Sequence, residues 1–384
     1  MNAVRLNDLQ RQQAAYWIPP MAAGASAWIV FMILGQTPVL RASGLALVIL
    51  ALGLILRPMG SALTVIGGLA LAFCPAFWAQ TGGAEMLEPL EVIAALVIAG
   101  AAALVVILLS RKPQVGIAIA VLIFGGLFLV VVGTPRSLRL TTLLTAWLLY
   151  LLIDGLFAAN PRPDSPPTGQ LGFQHTYGLL ILMVIGILND PLFALLAPAV
   201  LLGLFLTGKR LPVWYWIVLV GISIFGLRGI ILLYADSNWW SYPVALAEQQ
   251  GITVPFILSG GWRDPARWLD LIQLVIYQFT WFGLALGVIG LARLARWYPP
   301  VGVVTMIAYA SYALFGLVYF GADASVLLMP LLMIQVIWMT YAVYTFGQWI
   351  QKGVRQPDSY LRWLAPAGFT LLPIFMLLRI AGVV

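Results

Sequence analysis

Residues 324–346 read ASVLLMPLLMIQVIWMTYAVYTF, a run with no charged side chain. At about 1.5 Å per helical residue, such a run is longer than the roughly 30 Å hydrocarbon core of a bilayer. Runs of this kind recur along the whole chain. Apolar residues make up 62% of its 384 positions and charged residues 9%, and the mean hydropathy is +1.00. Soluble domains average about 45–50% apolar and roughly 25% charged residues. Lipid offers no partner for a free backbone group, so the runs are helices or closed-barrel strands. Barrel strands alternate apolar and polar positions over about ten residues, and these runs do not. The sequence therefore predicts an all-α, polytopic helical membrane protein.

The length rule places about 13 spans, at 18–36, 40–57, 59–79, 90–110, 114–133, 139–159, 174–189, 191–208, 212–234, 271–293, 298–320, 324–346 and 363–383. The seventh and eighth are short, and only Asn189-Asp190-Pro191 separates them, so they could form one helical hairpin. Residues 1–17, MNAVRLNDLQRQQAAYW, lack the apolar core and cleavage site of a signal peptide and read as a retained interfacial amphipathic segment. Residues 160–173, NPRPDSPPTGQLGF, form a Pro-rich linker between a first bundle of six spans (18–159) and a second of seven (174–384). Residues 235–270 are the one long loop. Its Trp and Tyr content suits the headgroup zone, so short interfacial helices are expected there.

Short-loop Lys and Arg set the orientation. With the amino terminus in the cytoplasm, the inner segments hold Arg5, Arg11, Arg57, Arg111, Lys112, Arg162, Lys209, Arg210, Arg293, Arg296, Lys352, Arg355 and Arg362. The outer segments hold Arg41, Arg136, Arg139, Arg263, Arg267 and Arg379. Thirteen against six predicts a carboxyl terminus outside, with Arg228 left inside a span. The expected location is a bacterial cytoplasmic (inner) membrane. The net charge of +7 is spread singly or in pairs beside apolar runs, which reads as topology and excludes nucleic acid as a partner. Cys74 is the only cysteine and His175 the only histidine, a poor donor set for a metal or haem, so no cofactor or metal is expected.

Residues 69–89, LALAFCPAFWAQTGGAEMLEP, carry a family resemblance. They resemble the Ser-Pro-x-Phe-Trp-x-Gln…Ala-Glu pattern of bacterial membrane proteins related to protein O-mannosyltransferases, with Pro75, Phe77, Trp78, Gln80 and Glu85 in the matching places. A second echo runs from Phe256 to Phe346: an aromatic outer loop, Gln278-Phe279 opening a glycine-rich helix, an acidic turn at Asp323 and a Pro-containing apolar helix. The resemblance covers most of the chain. It implies a GT-C-like membrane module and transfer of sugar from a polyprenyl-phosphate donor at the outer face. It also implies a long first outer loop bearing an Asp that serves as base toward the acceptor hydroxyl. Here that connection is Gly35-Gln36-Thr37-Pro38-Val39-Leu40-Arg41, short and without a carboxylate.

Among the acids at the expected outer face, Glu85, Asp236 and Asp323 are the candidates for a catalytic base. Glu85, Glu88 and Glu91 also suit the first turn of a helix beginning at Pro89, which is the preferred reading of that cluster. Arg228 is the candidate for gripping a lipid phosphate, because an intramembrane arginine is costly unless partnered. Pairing with Asp190 or Asp236, or snorkelling to the interface, is the alternative. Asp154 and His175 are expected near the inner interface, His175 in a structural role. Gln278 and Gln335 are expected to make interhelical hydrogen bonds.

Three functions are compatible with this pattern. The first is a non-catalytic scaffold or accessory subunit of a larger membrane complex, an electron-transfer complex among the possible hosts, with membrane lipids and other membrane subunits as partners. The second is an active polyprenyl-phosphate-sugar glycosyltransferase. The third is a transporter of lipid-like substrates, which finds no support in inverted halves or a chain of charges.

Overall fold

The computed structural model describes residues 2–82, 90, 93–97, 100–101, 104, 138–159, 173–235, 260–319, 321, 324–354 and 363–383. Among these the fold is all-α, and seven helices are long and apolar enough to cross a membrane. The fourth expected span is described only in part. The fifth, the linker at 160–172 and the loop at 236–259 lie outside the described residues.

The helices are α1 (Asn2–Ile33), α2 (Val39–Leu56), α3 (Ser61–Ala72), α4 (Pro75–Trp78), α5 (Leu138–Ala159) and α6 (Phe173–Asn189). A 3-10 segment, Pro191–Leu196, leads into α7 (Ala197–Leu206), followed by α8 (Val213–Ala235), α9 (Pro265–Trp297) and α10 (Pro299–Val318). After α11 (Ala324–Leu327) come α12 (Met329–Val354) and α13 (Leu364–Ile380); α4 and α11 are single turns. The amino-terminal segment and the first span form one helix that runs through Pro19 and Pro20.

Residues 324–346 lie at the centre of the fold. Their main helix, α12, is 89% buried over its apolar window and touches α3, α9, α10 and α13. A helix that is apolar all round belongs in such a place. Close approach to α9 depends on small residues, as helix contacts in lipid usually do. A methyl group at Gly290 would collide with the Trp338 carbonyl, and one at Gly287 with the Gln335 amide. Gln335 Nε2 donates to the Gly283 carbonyl at 3.0 Å, and Trp338 Nε1 donates to Thr305 Oγ1 of α10 at 3.1 Å.

Three breaks shape the bundle. The expected span at 59–79 is divided, because the residue before a proline is pushed to extended backbone. Cys74 (φ −70°, ψ 141°) ends the first piece and Pro75 starts α4. Asp190 before Pro191 (φ −148°, ψ 114°) likewise separates α6 from the 3-10 segment. Polar groups inside an apolar bundle must find partners. Buried Asp190 accepts from Leu192 N at 3.1 Å and Thr141 Oγ1 at 3.2 Å, and Asn189 Nδ2 donates to Thr141 Oγ1 at 2.9 Å. The third break lies within α9, at Thr280 (φ 63°, ψ 174°). A β-branched residue is rarely found at positive φ, and this corner of the map belongs essentially to glycine.

The two sets of basic residues are segregated between the ends of the bundle. One end gathers Arg41, Arg139, Arg267 and Arg379 with the motif around Pro75; the other gathers Arg57, Lys209, Arg293 and Lys352.

Candidate functional site

The motif end is built around Pro75–Gly82. Phe77 is buried with its ring 6.0 Å from that of Phe31 in α1, and Trp78 lies 5.8 Å from the same ring. Ala76 N is in the first turn of α4, where helical amides have no partner of their own. It donates to Gln278 Oε1 of α9 at 2.8 Å. The two stretches that carry the family resemblance, 202 residues apart, are thus joined by one buried hydrogen bond. Gln80 is buried, and neither atom of its side-chain amide has a hydrogen-bond partner among the described residues.

A cleft of about 580 Å³ opens beside this junction, lined by Pro75, Ala76, Asp270, Gln273, Tyr277 and Gln278 among others. Its one described carboxylate, Asp270, is paired with Arg267 Nη1 at 3.1 Å. The Arg379 guanidinium lies over the Tyr277 ring, 4.1 Å from its centroid. Amides, a phenol and an apolar wall suit an amphipathic ligand. One oxygen of this carboxylate is thus already occupied by a cation. The connection between α1 and α2 is five residues, Leu34 to Pro38, and carries no acid that reaches over the cleft.

Four arginines at this end donate to backbone carbonyls, in the turn after α4, at the end of α10 and beside the break in α9. Arg41 Nη1 reaches Gly82 O at 3.1 Å; Arg139 Nε reaches Gln80 O at 2.7 Å, and its Nη2 also donates to Gly82 O. Arg267 donates to Gly316 O at 2.9 Å, to Leu317 O at 3.2 Å and to Tyr319 O, which close the end of α10. Arg379 Nη1 donates at 3.0 Å to Tyr277 O, a carbonyl just ahead of the break at Thr280. Terminal carbonyls carry the negative end of the helix dipole, and cations stabilise them. The sequence reading treated these arginines only as outer charges. A signal was present, because Arg41, Arg139 and Arg267 each lie in the first turn of their own helix. A cation there opposes the local dipole and so serves a neighbouring helix instead.

Glu85, Asp236 and Asp323, with Glu88 and Glu91, lie outside the described residues. Arg228 is exposed on α8 beside exposed Ile224, Phe225, Leu227 and Ile231, and makes no ion pair among the described residues. Of its two expected alternative partners, Asp190 is buried and accepts from Thr141 and Leu192, and Asp236 lies outside the described residues. At the far end, His175 Nε2 lies 2.9 Å from Asp154 Oδ2, and Arg57 Nη2 lies 3.7 Å from Oδ1. The Arg57 guanidinium covers the Tyr16 ring at 3.4 Å, and the Tyr16 and Tyr150 hydroxyls are 3.0 Å apart. This cluster ties α1, α2, α5 and α6 together, a pairing the sequence reading did not make. No family model matches the chain, and no curated protein or solved structure matches it either.

Proposed function

We propose that the chain is a non-catalytic scaffold or accessory subunit of a larger bacterial inner-membrane complex. In this reading it has about 13 spans, its amino terminus in the cytoplasm and its carboxyl terminus outside. It is built on a GT-C-like helical module without the catalytic first outer loop. The supporting observation is Arg228, displayed on an exposed apolar face of α8, whose apolar window, like that of α1, is only 28% buried. A cation on such a face is costly until it meets an acid or phosphate. A neighbouring subunit or a lipid headgroup supplies one, and the rest of the α8 face supplies the apolar contact. An electron-transfer complex is one such host.

Purification in mild detergent tests the reading. Stable co-purification with several subunits is expected, reduced by Arg228→Gln, with no transfer from polyprenyl-phosphate sugars. A solitary, active transferase would overturn it.

One observation favours a second reading, glycosyl transfer from a polyprenyl-phosphate sugar. The Gln278–Ala76 hydrogen bond joins both resembling stretches at the wall of the 580 Å³ cleft. In that case an acid-to-amide change at Glu85, Asp236 or Asp323 abolishes transfer, and Arg228→Gln weakens lipid-phosphate binding.

A further inference from the structure

α8 packs through one side. Tyr215, Leu219, Ser223 and Gly226 are buried toward α6 and the 3-10 segment. On the opposite side Trp214, Ile217, Gly221, Ile224, Arg228 and Ile231 are all exposed. Their spacing alternates between three and four residues, the a/d repeat through which helices pack knobs into holes. They extend over about 25 Å of helix, most of the roughly 30 Å depth of a hydrocarbon core.

Two members of this seam set it apart from a surface that only meets lipid. A methyl group at Gly221 would meet nothing within 4 Å, so the seam carries an open notch. Arg228 lies one heptad further along the same line and makes no hydrogen bond or ion pair among the described residues. Two turns of helix, about 10 Å, separate it from Ala235 at the end of α8. The equally exposed span of α1 carries no charged side chain between Tyr16 and Ile33.

A carboxylate is the matching group for a guanidinium, because it accepts two parallel N–H bonds. At the depth of Arg228 it must be carried by a segment that satisfies its own backbone, which in a bilayer is a helix. The notch at Gly221 allows such a helix to approach closely. The described acids of a second copy of this chain do not complement the seam. Asp154 is bound by His175 and Arg57, and Asp190 is buried beside Thr141. Asp264 caps the start of α9, and Asp270 is paired with Arg267.

We infer that the α8 seam docks one transmembrane helix of a different polypeptide, with an Asp or Glu opposite Arg228 and its backbone seated over Gly221. This rests on the accessory-subunit reading and names the chemistry of one partner.

The full-length protein in phosphatidylcholine vesicles tests the seam, with dye-labelled Leu-Ala transmembrane peptides as probes. Each peptide carries one Glu, Gln or Lys at the matching depth, and energy transfer from the protein reports association. The Glu peptide is expected to bind about tenfold more tightly than the Gln peptide, the size of interhelical polar interactions in model peptides. The Lys peptide binds least. Arg228→Gln abolishes the preference for Glu, and Arg228→Glu turns it toward Lys. Gly221→Leu weakens all three peptides, whereas Ala25→Leu on the exposed side of α1 weakens none. Equal binding of the three peptides, or a Glu preference that survives Arg228→Gln, overturns the seam. Loss of the Glu preference when phosphatidylglycerol is added assigns Arg228 to lipid phosphate. Transfer between labelled copies of the chain that falls with Arg228→Gln assigns it to self-association. Either result overturns the partner helix.

In native membranes a photoreactive residue at Ile224 should cross-link to a co-purifying subunit, at a yield lowered by Arg228→Gln. Subunits that co-purify unchanged in Arg228→Gln, without an Ile224 adduct, would sink the seam and leave the accessory-subunit reading standing. Peptide selectivity with no co-purifying subunit would support the seam and overturn that reading.

Discussion

The two ends of the bundle use arginine and lysine in opposite ways. At the motif end Arg41, Arg139, Arg267 and Arg379 are turned inward onto backbone carbonyls, and Arg41 is buried. At the other end Arg210, Arg296 and Lys352 are exposed with no ion pair among the described residues, while Arg57 and Arg293 lie over the rings of Tyr16 and Trp349. The first set neutralises backbone that a membrane interior would leave unsatisfied; in the second, Arg210, Arg296 and Lys352 remain available to solvent, headgroups and partners. A count of charges treats all of these residues alike, although Arg210, Arg296 and Lys352 are exposed and the inward-turned arginines are not.

Substitutions at each end test this contrast. The largest effect is expected from Arg267→Ala, which removes the donor to three carbonyls and costs about 3 kcal/mol, the scale of charged hydrogen bonds to buried acceptors. Unfolding in detergent measures it. Arg267→Lys should recover less than half, since an ammonium does not reproduce the guanidinium fork. Gln278→Leu comes next: the buried Ala76 amide loses its acceptor, and a loss of about 1–2 kcal/mol is expected. Thr280→Gly should act in the opposite direction, raising stability by about 1 kcal/mol, because glycine tolerates the backbone that threonine is forced to adopt. A destabilised glycine variant would show that the Thr280 side chain contributes more than its backbone costs. The smallest effects are expected at the far end, where Arg296→Ala and Lys352→Ala should each change stability by no more than about 0.5 kcal/mol. If Lys352→Ala matched Arg267→Ala, the division between capping and free cations would fail.

Much of the fold was legible because lipid imposes a length and proline imposes a break. The apolar runs marked the described helices near their observed positions, the break at Cys74-Pro75 fell inside a single expected span at 59–79, and Asp190-Pro191 could be read as an interruption. The break at Thr280 could not, since neither glycine nor proline marks it and only tertiary contacts sustain it. The site was legible in pieces. Pro75 and Gln278 were singled out separately, but no local rule brings residues so far apart into one hydrogen bond. The Asp154–His175 pair was missed for a similar reason: each looked like a lone interfacial group, and their meeting depends on how α5 packs against α6.

Cys74 has a practical consequence. It is the only thiol in the chain and is fully buried between α3 and α4. A membrane-impermeant maleimide should therefore leave the folded protein unlabelled, without any cysteine having been removed. A single cysteine introduced at Lys352 or at Arg263 would then report by itself which compartment each end of the bundle faces.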